Sequence, residues 1–236
     1  MCEVMAVAWQ GAEDVTRILP WARELERLGV AGFGWGVAWL EGGQVRGYRS
    51  PGSLAEDADG VGALSGITST HFLVHLRRPN KLSTVQLADT QPFVEEGGRF
   101  AFCHNGSFER HDAFRPQFAG QLRGRADSEV GFRLFEELLS RGMEPQEALA
   151  QTHARLDGHA NLGYLGSDGE LLVYAANPLN RVWRFEVDGA KVAATSLHSQ
   201  DSSLFDLLFP HAGRREEVVD GSSAMVAGTA TANSMG

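Results

Sequence analysis

The order of patterned stretches predicts an α+β protein in which antiparallel sheets are sandwiched by helices: strands come first, then helices, then strands again. Short runs rich in apolar and β-branched residues occupy 3–9, 32–48, 67–76 and 99–103, and four more lie between 160 and 196. A helical period holds over 12–28, 128–140 and 144–156. The 236 residues, 43% of them hydrophobic, are enough to bury a substantial core, and no break in composition marks a second domain. Residues 1–227 are therefore expected to form one domain. The small, polar stretch 228–236 is expected to be a mobile tail.

Each element has a local reason. Glu3 to Trp9 is short and mostly apolar, as suits a buried strand with Cys2 at its exposed start. Trp21, Leu25 and Leu28 share one face of the next helix, Pro20 is tolerable only near a first turn, and Gly29 is placed to close it. Gly32–Leu40 and Gln44–Tyr48 read as a hairpin around Gly42-Gly43. Gly32, Gly34 and Gly36 should share a strand face that lets another backbone or a ligand come close. A short helix is expected over 53–65, a strand over 67–76 and a loop over 81–98. The strand Arg99–Cys103 should end at His104-Asn105-Gly106. Phe132, Phe135, Leu138 and Leu139 line one stripe of the helix from Ser128, with Asp127 or Ser128 as its cap. Strands over 160–166, 170–176, 181–187 and 191–196 are separated by turns, and a short helix at 204–208 and a strand at 216–226 complete the chain.

Charge excludes some functions. A net charge of −9 argues against nucleic acid, whose phosphates demand a basic face. No apolar run reaches about 18 residues and no basic-then-apolar leader is seen, so neither membrane nor secretion is expected and the protein should be cytoplasmic. Cys103 lies in an apolar run and reads as a small buried hydrophobe, and a reducing compartment makes a Cys2–Cys103 disulfide improbable. His71 and His75 share a strand face with no third ligand nearby, so no metal is expected. His153 reads as a residue at the edge of the core, and Trp35 as core.

The stretch that points to chemistry is Met1-Cys2-Glu3. Removal of Met1 would leave Cys2 with a thiol and a free α-amine on one residue. Their ordinary pKa values, about 8.5 and about 7.7 to 8.0, allow the amine to take the thiol proton near neutral pH. Taken singly, Arg77 could be a solvated charge, Asn105-Gly106 a turn and Asp127 a helix cap.

Met1-Cys2, Gly34-Trp35-Gly36, His75-Leu76-Arg77, Thr90-Gln91-Pro92-Phe93, His104-Asn105-Gly106 and Asp127-Ser128-Glu129 occur in one order. In that order the chain resembles the class II, N-terminal nucleophile glutamine amidotransferases, and most of all their stand-alone, single-domain branch that includes the ergothioneine-pathway γ-glutamyl amidohydrolase. The resemblance implies a four-layer αββα sandwich, no cofactor, and cleavage of the γ-amide of glutamine or a γ-glutamyl compound. The products would go to water or, as ammonia, to an accepting partner protein. It implies Cys2 as nucleophile, Asn105 and Gly106 at the oxyanion, Arg77 on the substrate carboxylate, Asp127 on its ammonium and Asn80 as a polar contact at the mouth. Where relatives carry Asn-Thr-His-Pro-Phe, this chain has Asp89-Thr90-Gln91-Pro92-Phe93, and Arg78-Pro79 replaces small residues. A second cation there would favour a more acidic substrate. The rival readings are a non-catalytic module that binds glutamine or scaffolds a complex, and a metal-dependent amidohydrolase.

Overall fold

In the computed structural model, residues 2–197 and 202–228 are described; the expected tail from 229 onward lies outside them. The first strand, β1 (Glu3–Asp14), alternates between two apolar environments, with Val4, Ala6 and Ala8 on one side and Met5, Val7 and Trp9 on the other. It runs on to Asp14, so the helix expected from residue 12 starts later. The Asp14 carboxylate accepts the Thr16 N–H at 2.8 Å, starting a single 3₁₀ turn, Val15–Arg17. In α1 (Leu19–Leu28), Pro20 occupies the first turn, where a missing N–H leaves no bond unmade. The Gly29 N–H closes that helix on Leu25 O at 2.8 Å.

The hairpin β2 (Trp35–Glu41) and β3 (Gln44–Ser50) turns at Gly42 (φ 58°) and Gly43 (φ 76°), the two positive values that a two-residue hairpin turn of this hand requires. Of the three glycines expected on one strand face, only Gly36 lies in the strand. A Cβ there would meet Gln91 O at 2.5 Å, so the close backbone approach is real and comes from the loop around Gln91. Next come α2 (Ala58–Leu64), β4 (Thr68–Leu76) and β5 (Phe93–Val94), the last inside the stretch expected to be only loop. β6 (Phe100–Phe108) continues through His104-Asn105-Gly106 rather than ending there, which removes the reading of Asn105-Gly106 as a turn. A short α3 (His111–Phe114) precedes α4 (Asp127–Ser140) and α5 (Pro145–Leu156).

The last third follows the expected spacing as β7 (Gly158–Gly166), β8 (Leu171–Ala175), β9 (Val182–Val187), β10 (Ala190–Thr195) and α6 (Ser202–Leu208). The strand expected over 216–226 is two pieces, β11 (Glu216–Glu217) and β12 (Ser222–Ala227). Gly221, at φ 75°, is the third residue of a turn that the Ser222 N–H closes on Val219 O, and the two pieces join different sheets.

One sheet has the order β11-β9-β10-β1-β4-β2-β3 and the other β12-β8-β7-β6-β5, with every pairing antiparallel. Three apolar layers separate four layers of secondary structure. Met5, Val74 and Val192 face the layer of α1 and α6; Ala6, Leu73, Cys103 and Val173 pack between the sheets; Phe102, Leu162 and Tyr174 face α4 and α5. The inter-sheet layer is built of small side chains, which lets the sheets approach: a Cβ on Gly163 would sit 2.8 Å from Cys103 Sγ. This is the expected αββα sandwich. Trp35 and Cys103 are fully buried, as expected, and both cysteines are free thiols.

Candidate active site

Cys2 precedes the central strand of the seven-stranded sheet and is half-buried. Its thiol donates to Arg78 O at 3.7 Å, and its sulfur also lies 3.5 Å from the Arg78 backbone N–H, a donor for the thiolate form. Burial pushes the thiol pKa above its ordinary value, against the pull of that N–H and the charge of Arg77. The sulfur is therefore a thiol at neutral pH.

Beneath it lies a cluster of buried amides that spans both sheets. Asn105 Nδ2 donates to Cys2 O, while Asn105 Oδ1 accepts from Asn161 Nδ2 at 2.9 Å. Asn161 Oδ1 in turn accepts the N–H groups of Ala176 and Asn177 at 3.0 and 3.1 Å. Asn180 Nδ2 reaches both Cys2 O (3.3 Å) and Glu3 Oε2 (3.1 Å), and Thr195 Oγ1 donates to the same Glu3 oxygen. Gly106 follows Asn105 at φ 141°, and a Cβ there would fall 1.8 Å from His159 O, so no other residue fits.

Five of the six residues singled out in the sequence, Cys2, Arg77, Asn80, Gly106 and Asp127, line one pocket of about 160 Å³. That is below the roughly 300–1,000 Å³ of clefts for drug-sized ligands and suits a group of amino-acid size. Asn105, fully buried, sits under the pocket floor at the Cys2 carbonyl. Arg77 is buried, not a solvated surface charge, with Nη1 on Thr84 O at 2.6 Å and Nη2 on Thr84 Oγ1 at 2.7 Å. Asp127 is the first residue of α4, and the residue before it is Ala126, so neither Asp127 nor Ser128 is the cap. Its carboxylate instead accepts the Phe108 N–H at 2.8 Å, tying the helix start to the end of β6. Asn80 is exposed at the mouth.

The departures in the loop around Gln91 have structural roles. The Asp89 carboxylate is fully buried and accepts the N–H groups of Arg125 and Ala126, each at 2.7 Å, and the Gln86 amide at 2.7 Å. Glu129 accepts those of Arg123 (2.8 Å) and Gly124 (2.7 Å). Two carboxylates thus hold the strap 123–126 that leads into Asp127, and Gly124 is needed because a Cβ would meet Asp89 Oδ1 at 2.1 Å. Gln91 Oε1 accepts the His104 N–H at 2.7 Å. His75 Nε2 donates to His104 O at 3.1 Å, and burial, aided by the Arg77 charge, pushes the His75 pKa down to about 3, so its ring stays neutral. His153, half-buried, packs on Tyr174 at the core edge as expected.

Sequence reasoning missed Thr84 and the asparagines at 161, 177 and 180, and it gave no role to Asp89 or Glu129. A polar residue inside the apolar run Ala160–Gly166 was the available signal for Asn161.

A family model described as class-II glutamine amidotransferases matches residues 1–203. Glutamine–fructose-6-phosphate aminotransferase (isomerizing) of Geobacillus kaustophilus is 27% identical over 203 residues, covering 83% of this chain and 32% of that protein. The enzyme of the same name from Bradyrhizobium diazoefficiens is 30% identical over 187 residues, covering 75% and 29%. The chain thus spans about a third of the length of these curated relatives. Among solved structures, the glutamine phosphoribosylpyrophosphate amidotransferase of B. subtilis superposes with a TM-score of 0.73 at 19% identity, over 95% of this chain and 47% of that one. A glutamine aminotransferase class-II domain protein from Silicibacter pomeroyi superposes with a TM-score of 0.58 at 20% identity, over 82% and 88%. The structural likenesses establish the fold, and the family match over most of its length establishes that this chain belongs to the class-II glutamine amidotransferases.

Proposed function

We propose that residues 1–227 form a single domain that hydrolyses the γ-amide of glutamine or of a γ-glutamyl conjugate through a γ-glutamyl thioester on Cys2. One observation carries this most: the Cys2 sulfur shares a pocket of amino-acid size with a buried guanidinium, Arg77, and a carboxylate, Asp127. A nucleophile, a partner for the substrate carboxylate and a partner for its ammonium are what a glutamyl head group requires.

In this reading Met1 is removed and the α-amine of Cys2 is the base. The α-amine takes the thiol proton as the sulfur attacks. The sulfur bonds to the γ-carbonyl carbon, and negative charge gathers on the carbonyl oxygen. The Asn105 amide and the Gly106 N–H stabilise that charge, each such donor being worth about 2.7 to 4 kcal/mol in the transition state. The C–N bond then breaks, and the departing nitrogen takes the proton held by the α-amine. Water adds to the thioester carbon, releasing glutamate and the thiol. An amide N–H already given to Cys2 O fixes the Asn105 side chain in orientation before substrate arrives.

Ammonia from glutamine would go either to water or to an accepting partner protein. A cytoplasmic setting suits the mechanism, since reducing conditions preserve the free thiol. Among the described residues no helix is long and apolar enough to cross a membrane. The test is substitution: Cys2→Ala should abolish release of ammonia from glutamine and of amine from γ-glutamyl conjugates while circular dichroism stays that of the wild type. Turnover near the wild-type rate in that variant overturns the proposal.

A further inference from the structure

The pocket carries more positive charge than a glutamine head group can use. Four of the residues that line it, Arg77, Arg78, Lys81 and Arg125, are cationic, against one carboxylate residue, Asp127, in a chain whose net charge is −9. A glutamyl head group has one carboxylate and one ammonium, which Arg77 and Asp127 match. The other three cations are exposed, and among the described residues none of them forms an ion pair. They come from two segments, Arg78 and Lys81 from the stretch after β4 and Arg125 from the strap before α4. Arg78 is also the residue whose backbone N–H lies 3.5 Å from the Cys2 sulfur, so the cluster begins where the scissile bond must sit. Unpaired like charges at one mouth repel one another, and on an acidic protein such a cluster focuses anions.

Building on the hydrolase reading above, we propose that the substrate is a γ-glutamyl amide whose amine portion carries its own acid group, held at the mouth by Arg78, Lys81 and Arg125. Water adds across the C–N bond, giving glutamate and the anionic amine, with no further reactant.

Three probes test this: γ-glutamylglycine, whose amine portion bears a carboxylate; γ-glutamylethylamide, a neutral counterpart; and glutamine. At low salt kcat/KM should favour γ-glutamylglycine over γ-glutamylethylamide by about tenfold, mostly through KM. The preference should shrink to within about threefold in roughly 0.5 M NaCl, where exposed charges are screened. It should also collapse in the R78Q/K81Q/R125Q variant; if that variant fails to fold, the salt dependence of the wild type decides. A ratio near one at low salt, or a preference that persists in high salt, overturns the inference while leaving the hydrolase reading intact provided glutamine or either amide is still cleaved. No turnover of any of the three overturns both.

Discussion

Glu3 is where burial and charge conflict most directly. It is fully buried one residue from the proposed nucleophile, and burial pushes its carboxyl pKa up to about 7, against the bonds from Thr195 and Asn180 that favour the charged form. A carboxyl whose folded pKa lies above its unfolded value of about 4.3 holds its proton more tightly when folded. Its contribution to stability is complete below the unfolded value and is lost as pH rises through 7. The loss is on the order of 3 kcal/mol. Glu3→Gln, which mimics the protonated form, should therefore gain about that much on the wild type between pH 4.5 and pH 8 in urea unfolding. A constant difference across that range would contradict the assignment. At this scale Cys2 stood out in the sequence by its position and its thiol, whereas Arg77 and Asp127, each readable alone as a surface charge or a helix cap, stood out only through the resemblance. Glu3, Thr84 and Asn161 did not stand out. Glu3 acquires its meaning from Asn180 and Thr195, which adjoin it only after the chain has folded back to the strand beside β1.

Among the elements, the strap 123–126 decides where Asp127 stands. It has no regular structure of its own, and its backbone N–H groups are taken by Asp89 and Glu129. Asp89→Ala leaves two N–H groups without their buried acceptor, each worth about 1 to 3 kcal/mol. The strap should loosen and Asp127 with it, raising KM for glutamine about tenfold with a smaller fall in kcat. Asp89→Asn keeps an acceptor oxygen for both N–H groups and should restore most of the affinity. Equal KM in Asp89→Ala and wild type would remove the strap from the account. Element types were legible wherever a period persisted, as in α4, α5 and the strands from β7 to β10. Boundaries were not, because tertiary contacts override local preference: β1 is extended past its apolar run by pairing Glu13 and Asp14 with Ser69 and Thr68, and β6 is carried through Gly106 by its ladder with β7.

For the molecule as a whole, the candidate site is assembled where two sheets meet. Cys2 stands at the head of β1, Asn105 and Gly106 lie in β6 of the other sheet, and the small residues between the sheets let the two strands come near. Local sequence predicts the sandwich class but not the strand order, since β1 lies between β10 and β4, partners from opposite ends of the chain. The four layers were anticipated only through the resemblance, and the three apolar layers now supply the physical reason for them. The central claim is that the γ-glutamyl group passes through the Cys2 sulfur. Acid quenching during turnover of a γ-glutamyl amide, followed by peptide mass spectrometry, tests it most directly. The account predicts one γ-glutamyl group on a peptide that begins at Cys2, absent from Cys2→Ala; a label on any other residue, or turnover from a chain that retains Met1, would contradict it.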